Sequence, residues 1–206
     1  MQNKTIKKYT KEVKDSKKGF FRFFKKKYLF IFFLIAFLAV LYPMIFKDLP
    51  STATLGVNNF PQSTKIYDRN GKLLYTFFIS KNQSYTPLSR IPKDLRNATI
   101  AIEDKDFYKH GAIDPRGIIR AAYFTLFKGS VQGGSTITQQ LVKNSILTQE
   151  RTITRKIKEI ILSFIVETIY SKDKILEMYL SYSPYGGTAW GVEAASEVYF
   201  EKPVDK

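Results

Sequence analysis

The chain has 206 residues, with 33 Lys+Arg against 18 Asp+Glu, one histidine and no cysteine, for a formal charge of +15. Disulfide staples are excluded, so any folded domain must hold by packing alone. The charge is uneven: residues 1–27 hold eleven Lys/Arg and two acidic residues, +9, which leaves +6 for residues 28–206.

The basic arm 1–27 reads as a solvated cytoplasmic tail, open to attraction by anionic lipid headgroups. Nucleic acid is the weaker partner for it, because no basic helix with interleaved aromatics leads to a domain on that side. Residues 28–46, YLFIFFLIAFLAVLYPMIF, carry no charged side chain. Nineteen helical residues span roughly 28 Å, close to the ~30 Å hydrocarbon core of a bilayer. The Lys/Arg excess on the N-terminal side orients that terminus to the cytoplasm. A cleaved signal peptide is the rival, but the run is longer than an h-region and no A-x-A-like site follows it. The expectation is a single uncleaved transmembrane helix at 28–46, a tether at 47–63, and one domain of mostly helical character from 64 to 206.

In that domain, residues 64–79 predict a β-hairpin with a two-residue turn at Asn70-Gly71. Pro92 opens a helix expected to run through DLRNATIAIEDKDFYKH to a stop at Gly111. Asp114-Pro115 start the next, ended by Lys128-Gly129. A short helix follows from Thr136 to about Ser145, and the longest covers 152–170. Two more, at 172–180 behind a Ser171 cap and at 191–200, complete the series.

Two blocks look built for chemistry. If the first helix persists through EDKDFYKHG (103–111), Glu103, Asp106, Phe107 and His110 share one stripe. Such a stripe makes a poor core face and a reasonable cleft wall, and a carboxylate partly lodged against apolar groups suits a general base. The plainer alternative is a solvated acidic helix end with Phe107 tucked inward and His110 as a structural or capping histidine. The second block, GGSTITQQLVKN (133–144), pairs a permissive glycine turn with Ser135 or Thr136 as cap, then crowds Gln139, Gln140, Lys143 and Asn144 onto one short helix. It lacks the Gly-Lys-Ser/Thr ending of a nucleotide loop, but a helix N-terminus with a lysine nearby can hold a diphosphate. An exposed polar helix is the alternative. On the long helix, Ile157, Ile160, Ile161, Phe164 and Ile165 form the expected buried stripe. Arg151, Arg155 and Glu159 lie opposite, as an ordinary surface ion pair or as a wall for pyrophosphate. Ser171-Lys172-Asp173-Lys174 matches the Ser-x-x-Lys of penicillin-reactive serine enzymes, yet no Ser-x-Asn or Lys-Thr-Gly follows.

Taken in order, EDKDFYKHG, GGSTITQQLVKN, RKIKE (155–159) and KILEMYL (174–180) resemble four successive motifs of the family 51 glycosyltransferases, the peptidoglycan glycosyltransferases of class A penicillin-binding proteins. The resemblance covers about residues 65–206, and residues 183–200 are most similar to the 1C branch. It implies a lysozyme-like, mainly α fold with a short β-hairpin before the helical part, behind a single transmembrane helix in the bacterial cytoplasmic membrane. The implied activity is polymerisation of lipid II into glycan strands, with inversion at the anomeric carbon and release of undecaprenyl diphosphate.

The same resemblance implies the site residues. Glu103 is the general base and Glu159 the second catalytic glutamate. Lys143 and Arg151 contact phosphate, with Arg155 and Lys156 nearby. Ser135, Thr136, Gln139 and Gln140 line the donor site, and Asp104, Phe107, His110 and Asn144 are grouped with the substrate-binding residues. No metal site made of protein ligands alone is expected; magnesium or another divalent cation would accompany the diphosphate near Glu103. Partners are lipid II, the nascent strand and proteins of cell-wall synthesis. There are departures: Tyr179-Leu180-Ser181 replaces the usual Tyr-Leu-Asn, Glu201 stands where glycine is common, and the chain ends at Lys206 before a fifth motif, which reads as an N-terminal fragment. The rival functions are a lytic lysozyme-like enzyme, which would need no diphosphate site, and an inactive tethered domain that binds lipid II or scaffolds other proteins.

Overall fold

The computed structural model describes residues 62–129, 133–148 and 150–206 throughout, and parts of 28–55. The chain divides into two units, Met1–Leu49 and Pro50–Lys206. In the first, the described residues between 28 and 46 are helical, and the rings of Tyr42 and Phe46 stack at 4.9 Å. Residues 1–27, and positions 30, 37, 38, 41 and 44 within the apolar run, lie outside the described residues, as does much of 47–63. Among the described residues no helix is long and apolar enough to cross a membrane.

The second unit is mainly helical, with two small sheets. Strands β1 (Thr64–Tyr67) and β2 (Leu73–Phe77) pair antiparallel. Their connection departs from the expected two-residue turn. Asp68 N–H donates to Lys72 O at 2.9 Å, leaving three residues in the loop. The Asp68 carboxylate accepts the amides of Asn70 and Lys72, both at 2.8 Å, and Gly71 takes φ +81°. That side-chain clamp selects the longer loop, and Gly71 supplies the left-handed residue it requires. A second pair, β3 (Asn82–Gln83) with β4 (Ala189–Trp190), runs parallel and was not visible in the sequence.

Helices α1 (Lys93–Glu103), α2 (Pro115–Lys128), α3 (Ile137–Ser145), α4 (Ile153–Ile169), α5 (Lys172–Tyr182) and α6 (Val192–Phe200) follow. Their starts obey ordinary capping chemistry. Pro115 occupies the first turn of α2, and Thr136, Thr152 and Ser171 accept the amides of Gln139, Arg155 and Lys174. Ser171 is therefore spent as a cap. Gly129 closes α2 at φ +62°.

The core lies where α3 packs on α4 and α5. Ile137, Leu141 and Val142 meet Leu162 and Val166 of α4 and Ile175, Leu176, Met178 and Leu180 of α5, all at most 1% exposed. Each such side chain contributes roughly 1.5–3 kcal/mol of transfer free energy.

Two sequence departures have local accounts. Ser181 is fully buried; its hydroxyl accepts the Thr86 amide at 3.2 Å and its carbonyl accepts Gln83 Nε2 at 3.1 Å, so the position still ties α5 to the segment at β3. Glu201 closes α6 at φ +56°, the left-handed geometry for which glycine is the usual residue.

Candidate active site

Helix α1 stops at Glu103 rather than continuing to His110. Asp104 breaks it with φ −159° and ψ 74°, because its side chain turns inward to partners elsewhere in the fold. Its Oδ2 accepts the amide of Ile137, the first residue of α3, at 3.0 Å, and its Oδ1 lies 2.7 Å from His110 Nε2. A buried carboxylate on the exposed amides of a helix start answers both the helix dipole and an orphan donor. The shared stripe of Glu103, Asp106, Phe107 and His110 therefore does not exist. Phe107 is fully buried under the Lys172 ammonium, 4.5 Å from its ring centre, as the tucked-in alternative had it. His110 turns its other ring nitrogen to Gly111 O at 2.7 Å and braces the loop.

Glu103, by contrast, is exposed and not lodged against apolar groups. Its Oε2 accepts Gln140 Nε2 at 2.9 Å, and Gln140 Oε1 lies 3.2 Å from the Tyr179 hydroxyl. The start of α3 is pinned from a second direction: Thr136 Oγ1 and Gln139 Nε2 both donate to Ala112 O, at 3.0 and 3.1 Å.

Glu159, on α4, is only 2% exposed. Arg155 donates to its Oε2 at 2.6 Å and Lys156 Nζ contacts its Oε1. Lys156 also donates to Ser135 Oγ at 2.9 Å and Gln139 Oε1 at 3.2 Å, so α4 is stitched to the glycine turn and to α3. Of the two arginines expected on the side of Glu159, Arg155 alone pairs with it among the described residues. Arg151 precedes the helix, and Lys156 takes the second place beside the carboxylate.

The expected buried stripe of α4 is also overturned. The buried residues are Glu159, Leu162, Ser163 and Val166, an i, i+3, i+4, i+7 set, while Phe164 is half exposed and Ile157, Ile160, Ile161 and Ile165 are only partly covered. The polar members are satisfied where they lie, Glu159 by its two cations and Ser163 by donating to Glu159 O at 2.7 Å. Hydrogen bonding has decided the face against the count of isoleucines.

Beside Glu159 opens a cleft of about 530 Å³ lined by Ser135, Gln140, Lys143, Arg151, Thr152, Ile153, Arg155, Lys156 and Glu159. Among the described residues, Lys143 and Arg151 join no carboxylate, and the buried Arg155 Nε has no hydrogen-bond partner. Asn144 follows Lys143, half-buried on α3. The cleft therefore presents uncommitted positive charge and one spare buried donor, a composition suited to an anion. Asp104, His110 and Asp114 offer ligand atoms within 4.8 Å of one another. Both oxygens of Asp104 are already engaged, so this group is a structural brace and does not fit a ready-made metal site.

Residues 70–206 match the family model described as Transglycosylase. This chain belongs to the transglycosylase family. The transglycosylase domain is 47% identical over 161 residues to penicillin-binding protein 1A of Aquifex aeolicus (strain VF5), covering 78% of this chain and 22% of that one. It is 44% identical over 167 residues to penicillin-binding protein 1A of Escherichia coli (strain K12), covering 81% and 20%. Penicillin-binding protein 1F of Bacillus subtilis (strain 168) is 46% identical over 143 residues, covering 69% and 20%. The chain thus spans about a fifth of the length of these relatives. They carry 1A and 1F designations, whereas the expectation of a 1C branch rested on residues 183–200. Two residues at the site of this transglycosylase domain were not among the candidates: Tyr179, seen only as part of the motif KILEMYL, and Thr152, which both caps α4 and lines the cleft.

Proposed function

We propose that this chain is a peptidoglycan glycosyltransferase that polymerises lipid II, with Glu103 as general base. The observation that carries the reading is a cleft of uncommitted cations lined by Glu159 and by Gln140, whose amide holds the second, unlike glutamate Glu103. Glu103 is open and held by one neutral amide; Glu159 is buried and doubly neutralised. An open carboxylate can take the proton of an acceptor 4-hydroxyl as that oxygen attacks the donor's anomeric carbon, with inversion. Lys143, Arg151 and the free Arg155 Nε–H face the charge that grows on the departing diphosphate, and donors fixed in advance stabilise it at no cost in reorganisation. Glu159 sets the positions of Arg155 and Lys156, while Ser135, Thr136 and Gln139 hold the glycine turn that forms the donor side. Asp104, Phe107 and His110 act from beneath, by fixing the α1–α2 turn against α3.

A divalent cation fits as a companion of the diphosphate. Magnesium takes one or two carboxylates together with phosphate oxygens and water, and would neutralise leaving-group charge; Glu103 has a carboxylate oxygen available for it. The apolar run 28–46 behind the basic arm is the anchor of this reading, with the N-terminus in the cytoplasm and the domain on the outer face of a bacterial membrane, where a lipid-borne donor is presented. Nascent strand and other wall-synthesis proteins are its partners.

The test is incubation of the full chain with lipid II in detergent, followed by separation of glycan products. Polymer from the wild type and none from a folded Glu103→Gln variant is the expected result, since general-base catalysis is worth about 10²–10⁴-fold. Undiminished polymerisation by Glu103→Gln removes Glu103 as the base. Release of soluble fragments from finished glycan would point to the lytic reading, and binding of lipid II without turnover to the inactive one.

A further inference from the structure

We propose that Tyr179 is a positioning residue for this reaction, its hydroxyl fixing the Gln140 amide so that the amide N–H is held on the Glu103 carboxylate. The proposal rests on Glu103 being the base. The chain of contacts runs from the core to open solvent: Tyr179 Oη to Gln140 Oε1 at 3.2 Å, then Gln140 Nε2 to Glu103 Oε2 at 2.9 Å. Its polarity is forced by chemistry. An ionised carboxylate only accepts, so Gln140 must turn its NH₂ toward Glu103; its carbonyl then faces Tyr179, which must donate.

Tyr179 is suited to the task by where it sits. It lies on α5 between Met178 and Leu180, both fully buried, and is itself 6% exposed, so packing fixes its ring. Burial, and secondarily the charge of Glu103, push its phenol up to about 12, which keeps it an O–H group at any working pH. Glu103 has no such support of its own: it is exposed, at the last turn of α1. The hydroxyl also serves both states of the base. Once Glu103 has taken the acceptor's proton on Oε1, its Oε2 still accepts the Gln140 N–H, so the same contacts hold. Phenylalanine fills the same space and cannot donate to the amide.

The experiment compares Tyr179→Phe, Gln140→Met and the double variant in the full chain, by steady-state polymerisation of lipid II and by NMR of the ¹⁵N-labelled Gln140 side-chain amide. Tyr179→Phe should lower kcat about fivefold to tenfold, the worth of one neutral hydrogen bond, with KM for lipid II unchanged. The double variant should be no worse than Gln140→Met, because the hydroxyl acts only through the amide. In the wild type the two Gln140 amide protons should be dispersed and slow to exchange, and in Tyr179→Phe they should move toward free-amide positions. A wild-type kcat in Tyr179→Phe, multiplicative losses in the double variant, or unmoved amide signals would each overturn the proposal. The NMR arm does not depend on turnover: expected amide shifts in a wild-type chain that makes no polymer would overturn the glycosyltransferase reading and leave the Tyr179–Gln140–Glu103 contacts standing.

Discussion

Replacing Glu159 by glutamine keeps the shape of the side chain and deletes its charge from a place that is 2% exposed. Two cations lose their partner: Arg155, whose side chain is 15% exposed, and Lys156, 40% exposed. A hydrogen bond to a charged group is worth about 1.5–3 kcal/mol when buried, and a well-exposed ion pair under about 1 kcal/mol. Arg155 therefore dominates, and the sum is about 3 kcal/mol. This agrees with the lower end of the ~3–5 kcal/mol found when one partner of a buried pair is removed. For a domain of this size about 1 kcal/mol moves the midpoint by ~2–4 °C, so the melting temperature should fall by about 6–12 °C. Circular dichroism at 222 nm during heating, repeated in urea, reads this directly. Lys156→Met should cost less than Glu159→Gln, because its ammonium is the more exposed of the two cations. A fall of under about 2 °C for Glu159→Gln would refute the reasoning, since it would mean that the carboxylate is hydrated and not enclosed by its two cations.

Two further outcomes can be checked on the same instrument. At Gly191 φ is +83° and an added Cβ would sit 2.6 Å from Ser181 O, so Gly191→Ala should cost more than about 3 kcal/mol, whereas Gly187→Ala, at φ +52° with open space around it, should cost only about 1 kcal/mol. For pH, burial raises the Glu177 carboxyl, but hydrogen bonds from Lys174, Tyr85 and the Leu88 amide outweigh it and hold the group below its ordinary 4.5. A carboxyl depressed in the folded state lends stability above its unfolded pKa, and this is lost as pH falls through the folded one. Urea midpoints should thus drop below pH 4.5, and Glu177→Gln should flatten that limb of the curve.

Most helix starts could be read from the chain because they are local: Thr136, Ser171 and Pro115 act within one turn of themselves. The end of α1 could not. It depends on Asp104 meeting the amide of Ile137, thirty-three residues later, and a periodic pattern carries no trace of that bond. The face of α4 was misread for a related reason. Counting isoleucines assumes that polar groups go outward, and here Glu159 goes inward because Arg155 and Lys156 travel with it on the same helix. Of the candidate site, Glu103 and Glu159 were named through the family resemblance, and the amide-rich block as residue types crowded onto one short helix. Tyr179 was not, since a tyrosine in an apolar helix gives no sign that its hydroxyl reaches a glutamine on another.

Helix α3 touches the machinery through adjacent residues, Gln140 toward Glu103 and Gln139 toward the Lys156–Glu159 pair. Neighbours on a helix point about 100° apart, and a helix with its side chains is roughly 10–12 Å across. The nine-residue rod thus ties the contacts of both glutamates to neighbouring side chains of one rigid element. Loops can lengthen around it without altering that link, whereas one residue inserted just after Ile137 would turn both amides about 100° from their partners.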